Sequence, residues 1–384
     1  MYVIKDDDMK IPLKVFSTEG SIEPQCIDQM KMVAKSPFLF KHVSLMPDGH
    51  LGIGASIGSV VPSKDVVFPS LVGVDIGCGM SAAKTSLTGI DTDTIKSIMG
   101  EIRKVVPVGF NHHQEAQEWT QFDNAPDLPI IQKELSSARN QLGTLGGGNH
   151  FIEIQRGDDG HIWVMLHSGS RNFGLKTATE YHKKAQALCE RWVADIPDKD
   201  LAFLPLDTQE GQEYLMAMNY CLDFAFANRT LMMDRIMNIV STITFGAEID
   251  RVNIHHNYAA MEHHFGQNVL VHRKGATKAT IGLRGIIPGS MGAHSYIVEG
   301  LGNPDSFESC SHGAGRRMGR KEAARVLNLE EEQAKMVGIV HGLRTIKDID
   351  EAPGAYKDID VVMDNQKDLV KKVVELTPLA SIKG

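Results

Sequence analysis

Where the glycines fall constrains this chain more than any other feature. Thirty-six of them occur in 384 residues, about 9% against a usual ~7%, and they gather in clusters. The clusters are Gly49-x-x-Gly52-x-Gly54, Gly73-Val-Asp-Ile-Gly77-Cys-Gly79, Gly146-Gly-Gly148, the stretch Gly285 to Gly292, and Gly313-x-Gly315. Glycine weakens the interior of a helix or strand and suits sharp turns and close approach to a ligand, so the clusters mark functional loops between elements. They run from position 49 to 315, and no fixed-period repeat, low-complexity tract or polar linker divides the chain. One site drawing on the whole length is therefore expected. The corresponding architecture is α+β, a single mixed domain over residues 1–384 with packed β-sheets surrounded by helices.

Between the clusters, apolar spacing predicts helices over 91–106, opened by Asp91 as N-cap, over 175–193 and over 208–243. Tyr214, Leu215, Met218, Leu222, Phe226 and Leu231 in the third form a core stripe. Shorter helices are predicted over 321–327, 329–337 and 365–376, and strands over 56–61, 162–166, 268–272 and 295–298. No apolar run approaches the roughly 18–20 residues of a membrane helix. The start, Met1-Tyr-Val-Ile-Lys-Asp-Asp-Asp-Met-Lys10, has acids where a signal peptide carries bases. Cys26, Cys78, Cys189, Cys221 and Cys310 are scattered and odd in number, which argues against a disulfide framework and for a reducing, cytoplasmic setting without a membrane partner. A net charge of −8 excludes a broad cationic coat for nucleic acid but leaves room for a local basic groove.

The residues able to carry chemistry lie in or beside the glycine clusters. Asp75 and Cys78 can turn toward one point and are both metal-ligand types; a tight turn around a buried thiol is the plainer alternative. Gly146-Gly-Gly-Asn149-His150-Phe151-Ile-Glu153 offers backbone N–H groups, a candidate ligand in His150, and hydrogen-bonding groups in Asn149 and Glu153. His167 opens a Ser/Gly loop closed by Arg171, a pairing suited to phosphate. In Asn253-Ile-His255-His256-Asn257 only one imidazole can face a given site, the other supporting from behind. The doublets His263-His264 and His112-His113 read as surface or structural. Asp75, Cys78, His150, His167 and one of His255/His256 make a set large enough for two ions, and ligand softness alone favours zinc or iron over manganese. Finally, His312 sits between Ser311 and a glycine turn, ahead of Arg316, Arg317 and Arg320. Its imidazole could attack phosphorus while Arg316 neutralises the oxygens; a solvated helix start is the alternative. Arg273 to Lys278 adds a second cation patch that could follow RNA.

Taken together, these motifs resemble the RtcB family of RNA ligases. The resemblance runs from Met46-Pro-Asp-Gly-His50 through Gly-Val-Asp75-Ile-Gly-Cys78-Gly, Gly-Gly-Gly-Asn149-His150-Phe-Ile-Glu153, His167-Ser-Gly-Ser-Arg171, His-His256-Asn-Tyr and His272-Arg-Lys-Gly-Ala-Thr277. It continues through Pro-Gly-Ser290-Met-Gly, Ser-His312-Gly-Ala-Gly-Arg316 and Glu-Ala-Pro-Gly-Ala-Tyr356-Lys to Ile-Lys383-Gly384. It implies an RtcB-like fold with a central two-metal cleft, and Mn²⁺ in place of zinc. Asp75, Cys78, His150, His167 and His256 are the implied ligands, with Cys78 bridging, and His255 stands behind them. His312 is the implied nucleophile toward GTP, while Asn149, Phe151, Glu153, Ser290, Tyr356 and Lys383 surround the guanylate. The implied substrates are RNA ends bearing a 3′-phosphate or 2′,3′-cyclic phosphate and a 5′-hydroxyl, with an archease-like activator as a further partner. Two other functions use the same residues: a metal-dependent phosphodiesterase that only opens cyclic phosphate ends, and a non-catalytic RNA-binding protein. Glu299 and Leu301 stand where the family is more basic, pointing to a restricted RNA preference in repair rather than general tRNA splicing.

Overall fold

The computed structural model describes the backbone of residues 1–384 and every side chain except that of Lys347. Two large sheets dominate it. The six-stranded sheet has the order Tyr2–Ile4, Leu13–Val15, Val43–His50, Ile57–Ser63, Gln267–Lys274, Asn257–His264. The seven-stranded sheet runs Glu248–His255, Gly79–Thr85, Ile162–Ser168, Phe151–Gly157, Val370–Lys383, Ser295–Gly300, Arg284–Ile287. Neighbours are antiparallel except where Leu13–Val15 meets Val43–His50.

Alternation along the strands explains how each sheet serves two cores. Val60, Val269 and Val271 join Phe307 and Cys310 on one side, while Val61 and Leu270 pack under the helices on the other. In the seven-stranded sheet, Ile152, Ile154, Val164 and Leu166 face the helices. Phe151, Trp163 and Met165 face inward with Met80, Val252, Ile297 and Leu376, in a cluster whose buried members all come from this sheet. The sheet curls on itself: Arg284 on one edge strand pairs with Asp250 on the other.

The helix Thr92–Val105 starts where Asp91 accepts from the Asp93 and Thr94 N–H groups, and it buries Ile95, Ile98, Met99 and Ile102. The helix Gln209–Thr244, 36 residues long, begins at the Thr208 cap. Its first half, with Tyr214, Met218 and Phe224, belongs to one core; its second half, with Met232, Ile236 and Val240, belongs to another. Phe226, expected in the stripe, is 46% exposed. At the junction lie Asn228 and Arg229, both fully buried. No helix among the described residues is long and apolar enough to cross a membrane.

The other predicted elements lie close to their expected places, with one reversal. The 365–376 segment is not a helix. A short helix, Ile359–Asp364, precedes it, and Val370–Lys383 is a strand between two others. Val370, Val373 and Val374 mimic helical spacing, but β-branched residues with pairing partners on both sides favour the extended chain. The predicted cation patch at 273–278 is also overturned. Arg273 is fully buried against Glu262, and Lys274 is buried with its ammonium on the Ile53 and Ser70 carbonyls. Neither is available to a polyanion.

Candidate active site

Sheet register gathers the site. His255 pairs with Gly79, Gly79 with Ser168, His167 with Phe151, and Phe151 with Lys383. The same ends of five adjacent strands therefore lie in one row, and the candidate residues project from that row or from the loops leaving it. The turns need glycine. Gly77 has φ +75°, and Gly146 has φ +93° with the Arg171 guanidinium filling the place where a Cβ would stand.

Cys78 Sγ lies 3.2 Å from His167 Nε2 and 3.5 Å from His150 Nε2. His256 Nε2 is 3.3 Å from His167 Nε2, and Asp75 Oδ2 is 3.2 Å from His150 Nε2. The Nδ1 atoms of His150 and His167 face the carbonyls of Leu145 (2.9 Å) and Asn149 (3.1 Å). Donation of those protons leaves both Nε2 lone pairs pointing inward. His256 Nδ1 is buried without a hydrogen-bond partner. That nitrogen is a buried polar atom for which the chain itself supplies no partner. Inward lone pairs on two nitrogens beside a sulfur and a carboxylate repel one another unless a cation lies among them, so the donor set fits metal ions. Cys78, His150 and His167 form the compact core of that set.

Electrostatics agree. Burial, together with neighbouring imidazoles, holds His167 and His256 below the usual imidazole range, in the neutral form that can ligate. Burial opposes ionisation of Asp75, but a proton on His150 Nε2, standing where a cation would, and the charge of Arg171 bring its carboxyl down to about 2. Burial and then Asp75 push the Cys78 thiol up; a bound cation would reverse that.

The adjacent histidines divide as alternation requires. His256 enters the cage. His255 Nδ1 turns away, 3.0 Å from the Gly77 carbonyl and 3.1 Å from Arg229. Arg229 is the larger surprise. Its Nη1 donates to the carbonyls of Gly77 (2.8 Å) and Ser168 (3.0 Å), each beside a cage residue. Asn228 holds the Gly143–Thr144 and Ser168–Gly169 segments in the same way. Read as core helix, this segment gave no sign of either role.

A narrow cleft adjoins the cage. Asn149, Phe151, Glu153, Ser290, Tyr356 and Lys383 all line it, together with His167, His312 and Arg316. Lys383 lies over the Phe151 ring at 5.1 Å. Burial pushes the Glu153 carboxyl up to about 7, with Lys383 pulling the other way. Arg316 does not project freely. It bonds Glu351 at 2.9 Å and stands 5.3 Å from the centre of the Tyr356 ring, whose hydroxyl also donates to Glu351. Arg171 sits behind the cage, 3.3 Å from Thr144 Oγ1 and 3.5 Å from His150 Nδ1.

His312 stands between cage and cleft, its ring 4.8 Å from that of His256. It follows the strand Ser309–Ser311, which pairs with Ala276–Lys278. Its Nδ1 and backbone N–H both donate to Asp48 Oδ2, at 2.6 and 3.0 Å, and the Gly313 N–H adds a third bond at 3.3 Å. Asp48 is fully buried. Its motif, Met46-Pro-Asp-Gly-His50, was visible in the sequence, but nothing there linked it to His312.

A family model described as tRNA-splicing ligase RtcB matches residues 29–127 and 114–384. The RNA-splicing ligase RtcB of Escherichia coli K12 is 38% identical over 401 aligned residues, covering 97% of both chains. The tRNA-splicing ligases RtcB of Pyrobaculum aerophilum and Thermococcus kodakarensis are 31% and 29% identical, covering 98% and 99% of this chain and 95% and 96% of their own. The chain belongs to the RtcB family of RNA-splicing ligases.

Proposed function

We propose that this protein is a GTP- and Mn²⁺-dependent RNA ligase acting in RNA repair or tRNA splicing. It joins 3′-phosphate or 2′,3′-cyclic phosphate ends to 5′-hydroxyl ends. The observation carrying this reading is the position of His312, on the wall of a cleft lined by polar and aromatic side chains and in contact with a cage of metal-ligand side chains. Asp75, Cys78, His150, His167 and His256 would hold the ions, and Cys78, within 3.5 Å of two imidazoles, suits a shared position. Bound Mn²⁺ supplies Lewis-acid neutralisation of charge on reacting phosphate oxygens.

The protein's own groups account for the rest. With the Nδ1 proton held by Asp48, the His312 lone pair is on Nε2. That nitrogen forms a bond to the α-phosphorus of GTP as the bond to pyrophosphate breaks, and Asp48 offsets the positive charge developing on the ring. An oxygen of the RNA 3′-phosphate then attacks the same phosphorus and returns the electron pair to Nε2, giving RNA-(3′)pp(5′)G. The 5′-hydroxyl of the second RNA attacks the RNA phosphorus and expels GMP. Asn149, Phe151, Glu153, Ser290, Tyr356 and Lys383 form the guanylate pocket, and residues 1–384 act as one catalytic unit in the cytoplasm, with an archease-like protein as activator.

The test is covalent labelling. Incubation with α-labelled GTP and Mn²⁺, followed by denaturation, should leave acid-labile label on the wild type and none on His312→Ala. An unlabelled wild type would overturn the ligase reading, and a labelled His312→Ala would place the nucleophile elsewhere.

A further inference from the structure

A second groove also reaches the cage and shares Asn149, Met291 and Lys383 with the guanylate pocket. Asp75, His150, Gly147, Arg103 and Phe110 border it, and Lys383 lies between groove and pocket. Phe110 is unusual there. Its ring is wholly solvent-exposed, at 102% relative exposure, so it contributes no burial to folding.

The backbone that carries the ring is nevertheless held in place. The Gly109 N–H donates to Gly146 O at 2.8 Å, and the Leu145 N–H donates to Pro107 O at 2.9 Å. Asn111 closes the turn, donating from its backbone and its side-chain amide to Val108 O at 3.2 and 3.1 Å. The turn is thus fastened to the glycine triplet that leads into His150. Arg103, exposed on the neighbouring helix, makes no ion pair among the described residues. The facing wall carries Asp348, Asp350 and Glu351. Arg320 pairs with Asp350 and Glu351, and Arg316 also with Glu351, which limits their repulsion of a polyanion.

We propose that Phe110 is a stacking platform for an unpaired nucleobase of the RNA end entering the cage, with Arg103 beside it for the adjoining phosphate. An aromatic face accepts any base, because every base has a π-face, and this suits an enzyme that must take ends of varied sequence. The inference rests on the RNA reading above. The groove serves either the strand ending in a 3′-phosphate or the strand beginning with a 5′-hydroxyl.

The experiment uses full-length protein and two short oligoribonucleotides. One ends in a 3′-phosphate and the other begins with a 5′-hydroxyl, each with 2-aminopurine at the terminal base. Fluorescence quenching and anisotropy report stacking and affinity. For one of the two RNAs, Phe110→Ala should bind roughly 5- to 100-fold more weakly and lose the quenching. Phe110→Trp should retain both. Ligation by Phe110→Ala should show a raised KM for that RNA, with kcat within about twofold of wild type. Phe245, 92% exposed at the end of the long helix, provides the control, since Phe245→Ala should match wild type. Equal affinity of Phe110→Ala and wild type for both RNAs would overturn the proposal. GTP labelling of the wild type without RNA is scored separately, so failure of this inference is distinguishable from failure of the ligase reading.

Discussion

Asp48 and His312 lie 264 positions apart in sequence, yet one carboxylate oxygen takes hydrogen bonds from both the ring Nδ1 and the backbone N–H of the histidine. Burial works against a charge on Asp48, but the charge of the His312 ring whenever it is protonated and the hydrogen bonds it donates outweigh it and keep the carboxyl below its ordinary range. The pair fixes the tautomer and the ring plane together, which makes Asp48 a positioning residue. Asp48→Asn keeps the shape but removes the charge. It should slow GTP labelling of His312 by roughly 10²- to 10⁴-fold, while Mn²⁺ affinity stays near that of wild type. A labelling rate within tenfold of wild type would show that the orientation of His312 does not depend on this carboxylate.

Arg229 leads to a prediction about the metal. It is a buried cation: burial works against its charge and brings its pKa down to about 10, while Cys78 and Asp75 of the cage pull the other way, and it grips the carbonyls beside Cys78 and His167. Arg229→Lys keeps a positive charge but cannot span both carbonyls and Asn253 with one planar fork. Mn²⁺ affinity, measured by titrating metal-stripped protein, should fall about 10- to 100-fold, the usual effect of losing a group that orients ligands. The rise in melting temperature on adding Mn²⁺ to EDTA-treated protein should shrink accordingly. Unchanged affinity would reduce Arg229 to packing.

How much of this was legible in the sequence depended on whether the signal was local. Cys78, His150 and His167 stand in short motifs of ligand-type residues among glycines, so chemistry and spacing expose them even though the sheet is needed to join them. The choice between His255 and His256 could not come from spacing, because alternation says only that they differ. The motif around Asp48 gave no signal that pointed to His312, and Arg229 gave no local signal. One lies on a strand and the other in mid-helix, and their importance arises from partners far away in sequence. Charge misled at Arg273 for a related reason: composition counts a cation but says nothing of its burial. At 365–376 the valines fit two periodicities, and strand pairing on both sides settled the outcome.

Arg273 suggests how the nucleophile's strand is held. Glu262 bonds both of its terminal nitrogens, and Arg273 in turn donates to Ser309 Oγ at 2.9 Å and Phe307 O at 3.0 Å, just upstream of His312. Burial alone would raise the Glu262 carboxyl, but Arg273, with His264 and Lys278, brings it down to about 2 from an ordinary 4.5. A depressed carboxylate contributes stability that is full above about pH 4.5 and is lost as pH falls toward 2. The size of the shift corresponds to roughly 3 kcal/mol. Glu262→Gln strands the buried guanidinium and should cost about 3–5 kcal/mol at pH 7. Denaturant melts at pH 7, 4.5 and 3 should then show the gap between wild type and variant closing as the medium becomes acid, because a protonated Glu262 and the neutral amide that replaces it are electrically alike. A gap that stays constant down to pH 3 would mean that the loss is one of shape, and that the ion pair does not hold the strand carrying His312.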